Sequence, residues 1–156
     1  MPKLVQGSLV ATGLKIAIIA ARWNDFFGES MVKGAIETVA RHGGQDDAVT
    51  VFRCPGAFEL PAVADRVAQT GEFDAIVCLG VLIRGATPHF DYISSTMTSG
   101  IARVGLERQV PVSYGVITVE SQEQAMERSG SKVGNKGEEA VLAAIEMANL
   151  YKQIGE

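Results

Sequence analysis

Four short stretches of this chain carry side chains suited to binding and proton transfer. They are Arg22-Trp23-Asn24, Pro55-Gly56-Ala57-Phe58-Glu59, Arg84-Gly85-Ala86-Thr87-Pro88-His89-Phe90 and Thr118-Val119-Glu120-Ser121. The single Trp and one of the two His fall within them. The third stretch says most. Gly85-Ala86-Thr87 is small enough for backbone N–H groups to approach an anion. Thr87 and Pro88 read as the N-cap and first position of a helix. A helix N-terminus behind small residues suits a phosphate, although the same residues also make simply a well-capped helix. His89 then falls in the first helical turn, where the helix dipole disfavours an imidazolium. A neutral imidazole beside an anion can move protons near neutral pH; a histidine that merely hydrogen-bonds a loop is the plainer alternative. Trp23 reads either as a core residue or as a stacking platform for a planar ring. Glu59 reads either as a carboxylate complementing a helix dipole or as an acceptor for a polyhydroxyl ligand. His42, beside Gly43, reads as a solvated residue that compensates a helix C-terminus.

These stretches are set by an alternation of β-branched runs and helical periodicity. Residues 15–21, 49–54, 75–81 and 111–118 read as strands. Helical stripes follow each of the first three: Val32, Ala35, Ile36, Val39, Ala40; then Leu60, Val63, Ala64, Val67, Ala68; then Phe90, Ile93, Met97, Ile101, Val104. Ser121 with Gln124 predicts a capping box for a short helix, and Ala140, Val141, Ala144, Ile145 and Ala148 line a last one. Such βα units make a parallel sheet with helices on both faces. Ligands of open α/β sheets bind beyond the carboxyl ends of the strands, which is where the four stretches fall. Residues 4–11 stand outside the alternation and read as an extra strand, either at the sheet edge or donated to a neighbour.

Several chemistries are excluded. No zinc-type Cys/His cluster, GxGxxG after the first strand, or Ser-His-Asp pattern is present. The loop 130–137 is Gly-rich and contains Lys136, but it lacks P-loop spacing and follows a helix. The third strand ends in Leu-Gly-Val-Leu-Ile, not in the Asp of a phospho-acceptor domain. A net charge of −4 without a Lys/Arg run argues against nucleic acid. The longest apolar stretch, 75–83, is too short for a membrane span, and the first residues have no apolar signal segment. Cys54 and Cys78 form no CxxC and read as buried, reduced thiols of a cytoplasmic protein. The 156 residues fit one domain, 1–156. Hydrophobic residues make up 47% and charged residues 21%, below the usual ~25%. That shortage of charge predicts that part of the outside is covered.

Five motifs bear a family resemblance: Ala21-Arg22-Trp23-Asn24, Pro55-Gly56-Ala57-Phe58-Glu59-Leu60-Pro61, Ile83 through Phe90, Gly115-Val116-Ile117-Thr118, and Glu123 through Arg128 followed by Gly134-Asn135-Lys136-Gly137. In this order they resemble the 6,7-dimethyl-8-ribityllumazine synthase family over nearly the whole chain. The expected architecture is then a three-layer α/β sandwich, with a four-stranded parallel sheet of flavodoxin-like order 2-1-3-4 flanked by helices. The resemblance implies that 5-amino-6-(D-ribitylamino)uracil condenses with 3,4-dihydroxy-2-butanone 4-phosphate, through an imine, phosphate elimination and ring closure with loss of water. This is the penultimate step of riboflavin biosynthesis, and no metal or cofactor is implied.

Carried over by position, the resemblance implies that Trp23 stacks on the heteroaromatic ring, where Phe is commoner. Asn24 and Glu59 bind the ribityl chain, near the backbone of Ala57 and Phe58. The backbone of Val81, Leu82 and Ile83 lines the pyrimidinedione. Gly85, Ala86 and Thr87 hold the phosphate, and His89 transfers protons. Tyr114, Arg128, Lys136 and Glu139 come from the adjacent subunit, with Arg128 on the phosphate and Lys136 on the pyrimidine edge. Tyr114 replaces a commoner Phe, and Ser129 and Ser131 replace the usual Ala and Thr. The resemblance further implies a homo-oligomer with its active site at a subunit interface. It also implies pentamers that assemble into an icosahedral shell, for which riboflavin synthase is a candidate partner.

Overall fold

The computed structural model describes residues 1–130 and 134–155; Ser131, with Lys132 and Val133 of the Gly-rich loop, lies outside them. The elements in chain order are β1 (Ile16–Ala21), α1 (Asp25–Arg41), β2 (Val49–Cys54), α2 (Leu60–Gln69), β3 (Ala75–Ile83), α3 (His89–Arg108), β4 (Val112–Val119), α4 (Gln122–Arg128) and α5 (Lys136–Ile154). The strands form one parallel sheet in the order β2-β1-β3-β4, as expected.

The period-2 alternation of β1 divides its apolar side chains between two cores. Ile16, Ile18 and Ala20 pack with α1 and α5, through Met31, Ala35, Val141 and Ile145. Ala17, Ile19 and Ala21 pack with α2 and α3, through Leu60, Ala64, Met97 and Ile101. β3 divides likewise, with Val77, Leu79 and Val81 on the first side and Ile76 and Cys78 on the second. Central strands buried on both faces have no polar alternation, so their sequence is a continuous apolar run. Each fully buried Ile or Leu contributes about 1.5–3 kcal/mol. At Gly115 in β4, a β-carbon would come within 2.9 Å of the Ala140 Cβ. The missing side chain lets α5 lie directly on the sheet.

The edge-strand alternative for residues 4–11 is corrected. They pair with no strand of this sheet. α5 holds them instead: Asn149 Nδ2 donates to the carbonyls of Ser8 and Val10, both at 2.9 Å, and Gln153 Nε2 donates to Gln6 at 2.6 Å. Asn149 and Gln153 are one turn apart, so their amides meet the carbonyls of alternate residues, Gln6, Ser8 and Val10. Leu4, Val5, Leu9 and Val10 remain exposed. His42 is half-buried rather than fully solvated, and its Nδ1 lies 2.8 Å from the Thr38 carbonyl in the last turn of α1. The Ser121 hydroxyl accepts from Gln124 N–H at 3.2 Å, but Gln124 reaches back to the N–H of Glu120, one residue earlier than a capping box requires.

Candidate active site

The strands do not end together. β1 pairs with β3 as far as Ala20 opposite Leu79. β3 continues to Ile83 with only β4 beside it, ending opposite Val119. Residues 81–83 therefore have a neighbour on one side only. A cleft of about 240 Å³ opens along the free edge.

Beyond β1 the chain stays bonded to the turn after β2. Arg22 N–H donates to the Cys54 carbonyl at 2.8 Å and Trp23 N–H to the Pro55 carbonyl at 3.0 Å. This carries Trp23 to the cleft with its ring against the face of Gly56 and 63% of the residue exposed. It is not a core residue, and its ring lies open at the cleft. Asn24 adopts the left-handed conformation, with φ 65°, which Asn tolerates better than most residues. Its Nδ2 donates to the Val81 carbonyl at 3.0 Å, supplying a bond that β1 no longer makes. Ala57, Phe58 and Glu59 form a 3-10 turn entering α2. Glu59 Oε1 accepts the Gly56 N–H at 3.0 Å, and Oε2 takes no partner among the described residues.

On the other side, α3 begins at His89, with Pro88 as its capping residue. The expected start is thus displaced by one residue, and the Thr87 hydroxyl accepts weakly from His89 N–H at 3.4 Å. Among the described residues, no partner takes the N–H groups of Gly85, Ala86 or Thr87. Three such donors stand before a 20-residue helix, an arrangement whose chemistry suits an anion.

Trp23, Asn24, Ala57, Phe58, Val81, Leu82, Ile83, Gly85, Thr87 and His89 all line the cleft. Ala86 and Glu59 are not in its wall but adjoin it in the chain. Phe90 and Ile93 line it too, although their periodicity reads as helix core. The signal for Ile93 is its spacing: it lies one turn after His89, on the same face of α3. Tyr114, Arg128, Lys136 and Glu139 do not line this cleft. Tyr114 lies early in β4, its hydroxyl 2.9 Å from that of Thr98. Arg128 ends α4, and Lys136 and Glu139 open α5.

Both thiols are buried. Burial, aided by the Glu59 carboxylate and opposed by Arg22, pushes Cys54 up to about 11. Burial, with Cys54 nearby, pushes Cys78 up to about 12. Neither is a nucleophile at neutral pH. A larger hollow of about 480 Å³ lies by Leu106, Gln109 and Ile154. Tyr151 is the one ionisable group among its lining residues, and it lies away from the strand ends. Among the described residues, no group of three or more His, Cys, Asp or Glu could hold a metal, and no helix is long and apolar enough to cross a membrane.

Residues 13–152 match the model of a family described as 6,7-dimethyl-8-ribityllumazine synthase. Proteins of that name are similar over nearly their whole lengths. The one from Chlorobaculum tepidum is 59% identical over 150 residues, covering 96% of this chain and 97% of its own. That from Chlorobaculum parvum is 55% identical, covering 97% of each. That from Chlorobium phaeobacteroides is 52% identical, covering 97% of this chain and 98% of its own.

Proposed function

This chain belongs to the 6,7-dimethyl-8-ribityllumazine synthase family, and from that premise we propose how its cleft carries out the penultimate step of riboflavin biosynthesis. The observation that carries the reading is the meeting of a ring platform, an open strand edge, an anion cradle and a histidine at one cleft. The uracil ring stacks on Trp23 and its amide edge pairs with the backbone edge of Val81–Ile83 that remains beyond the Val81 carbonyl, which Asn24 holds, as a further strand would. The ribityl hydroxyls bond Glu59 and Asn24. The butanone phosphate sets its phosphate against the N–H groups of Gly85, Ala86 and Thr87.

The 5-amino nitrogen attacks the ketone carbon, and water leaves to give the imine. Loss of a proton beside the imine expels phosphate, and attack by the ribitylamino nitrogen closes the ring with loss of a second water. His89 accepts and returns protons in these steps. Holding two reactants in register can supply up to ~7–11 kcal/mol, and positioned acid–base transfer adds a typical ~10²–10⁴-fold.

Tyr114, Arg128, Lys136 and Glu139 stand outside this cleft, which supports their serving a neighbour's. Arg128 suits phosphate by its planar fork, and Lys136 the pyrimidine edge. The assembly is a pentamer closed into an icosahedral shell, built from one domain per chain, in the cytoplasm, with riboflavin synthase as a candidate cargo. Mixing both substrates with the protein and following lumazine absorbance, less the spontaneous reaction, tests the chemistry. A rate no higher than background, with tight binding of ribityl-flavins, favours a carrier instead. Light scattering tests the shell, and a particle no larger than a pentamer removes it.

A further inference from the structure

Arg84 immediately precedes the anion cradle, yet its charge is already committed. Its guanidinium bonds both carboxylate oxygens of Asp91, at 2.9 and 3.3 Å, and its Nε lies 2.9 Å from the Glu120 carboxylate. It also stacks 4.6 Å above the centroid of Phe90, whose ring lines the cleft. Its backbone N–H donates to Val119 at 2.9 Å. One side chain therefore ties three segments: the end of β3, the first turn of α3 and the exit of β4. The cradle and His89 lie on the span between Arg84 and Asp91. Within that span, the Thr87–His89 contact at 3.4 Å is the only other side-chain tie among the described residues. Asp91 and Glu120 hold the guanidinium from different segments, and a planar fork can satisfy both where a point charge cannot.

We infer that Arg84 is a positioning residue for the lumazine-forming reaction: its fork fixes the turn that presents the phosphate donors and His89, without itself contacting substrate. This rests on the reading of the cleft given above. It also assigns Arg84 a second effect, since its charge offsets two carboxylates that otherwise flank a bound anion.

The test is steady-state kinetics of Arg84→Met and Arg84→Lys, with each substrate varied in turn, beside the dissociation constant of the ribitylaminouracil alone. Misplacement by about 1 Å can cost up to about 100-fold. Arg84→Met is expected to lower kcat and raise KM for the butanone phosphate, with a combined loss of about 10- to 100-fold. Binding of the uracil, which rests on Trp23 and Glu59, is expected to stay within about twofold, a split that general unfolding would not give. Arg84→Lys keeps a charge but no fork, so it is expected to recover KM for the phosphate and only part of kcat. Wild-type kcat and KM in both variants overturn the proposal, as does an equal loss of affinity for the two substrates. If Arg84→Met does not fold, Arg84→Lys decides alone: wild-type kcat overturns the proposal and reduced kcat at wild-type uracil affinity supports it. Glu59→Gln in the otherwise native protein separates the two claims, since unchanged uracil affinity there refutes the cleft reading and leaves the Arg84 result to be judged on the phosphate.

Discussion

The indole of Trp23 lies so close against Gly56 that a β-carbon at that position would overlap its six-membered ring. Gly56 also gives its N–H to the Glu59 carboxylate at 3.0 Å. One backbone unit thus sets both the ring platform and the acid beside it. Gly56→Ala forces the indole to move, and overpacking of this kind costs typically about 1–3 kcal/mol. Spent on the platform, that is a roughly 5- to 150-fold weaker Kd for the ribitylaminouracil. Titration by Trp23 fluorescence measures it, and unchanged affinity would show that the indole position does not govern ring binding.

His89→Ala is expected to slow the enzyme without abolishing it. Acid–base transfer contributes about 10²–10⁴-fold, whereas on the proposed reading of the cleft the groups that hold both substrates together are untouched. The measurement is kcat at saturating concentrations of both, with the uncatalysed rate subtracted. Full kcat would remove His89 from the mechanism.

The alternation of runs and stripes identified the sheet, because strands buried on both faces must be apolar throughout. It did not show that β3 and β4 run on to Ile83 and Val119, since a strand reaching past its neighbour carries no periodic signature. Yet that overhang makes the free edge. Asp25 begins α1 well before the Val32 stripe, and Phe27 and Met31 carry the buried face back toward it, but the adjacent Phe26 is 73% exposed and masks that spacing in the sequence. Trp23 was ambiguous from its type alone; what keeps it out of the core is its seat against Gly56, a residue 33 positions away. Arg84 reads in sequence as one more basic residue at a strand end; its role depends on Asp91 and Glu120 converging on it, which only the fold brings about.

The two thiols give the fold a stability that declines in alkali. An ordinary thiol value here is 9.0, against about 11 for Cys54 and about 12 for Cys78 in the folded chain. Between pH 9 and 11 the unfolded chain loses thiol protons that the folded chain retains. Stability contributed by these groups is therefore whole below pH 9 and falls as pH rises. The loss at pH 10 is on the order of 1 kcal/mol per thiol. Urea midpoints at pH 8 and 10, compared with those of Cys54→Ser and Cys78→Ala, isolate it from Lys and Tyr titration. An unaltered pH slope in both variants would refute the assignment.

Asn135 joins the start of α5 to α1. Its Oδ1 accepts the N–H groups of Gly137 and Glu138 at 2.8 and 3.2 Å, capping the helix, while Nδ2 donates to the carbonyls of Ser30 and Ser129 at 3.0 and 3.4 Å. Removing an Asn cap costs about 0.5–2 kcal/mol, and the lost amide donor adds about 0.5–1.5 kcal/mol. Asn135→Ala should therefore destabilise by roughly 1–3 kcal/mol in urea melts. Asn135→Asp keeps the cap, since Asp is as good an N-cap as Asn, but it turns an acceptor toward two carbonyls. It separates capping from tethering: near-native stability in Asn135→Asp would assign the effect to the cap. A loss as large as that of Asn135→Ala would assign it to the amide's ties to Ser30 in α1 and to Ser129 beyond α4.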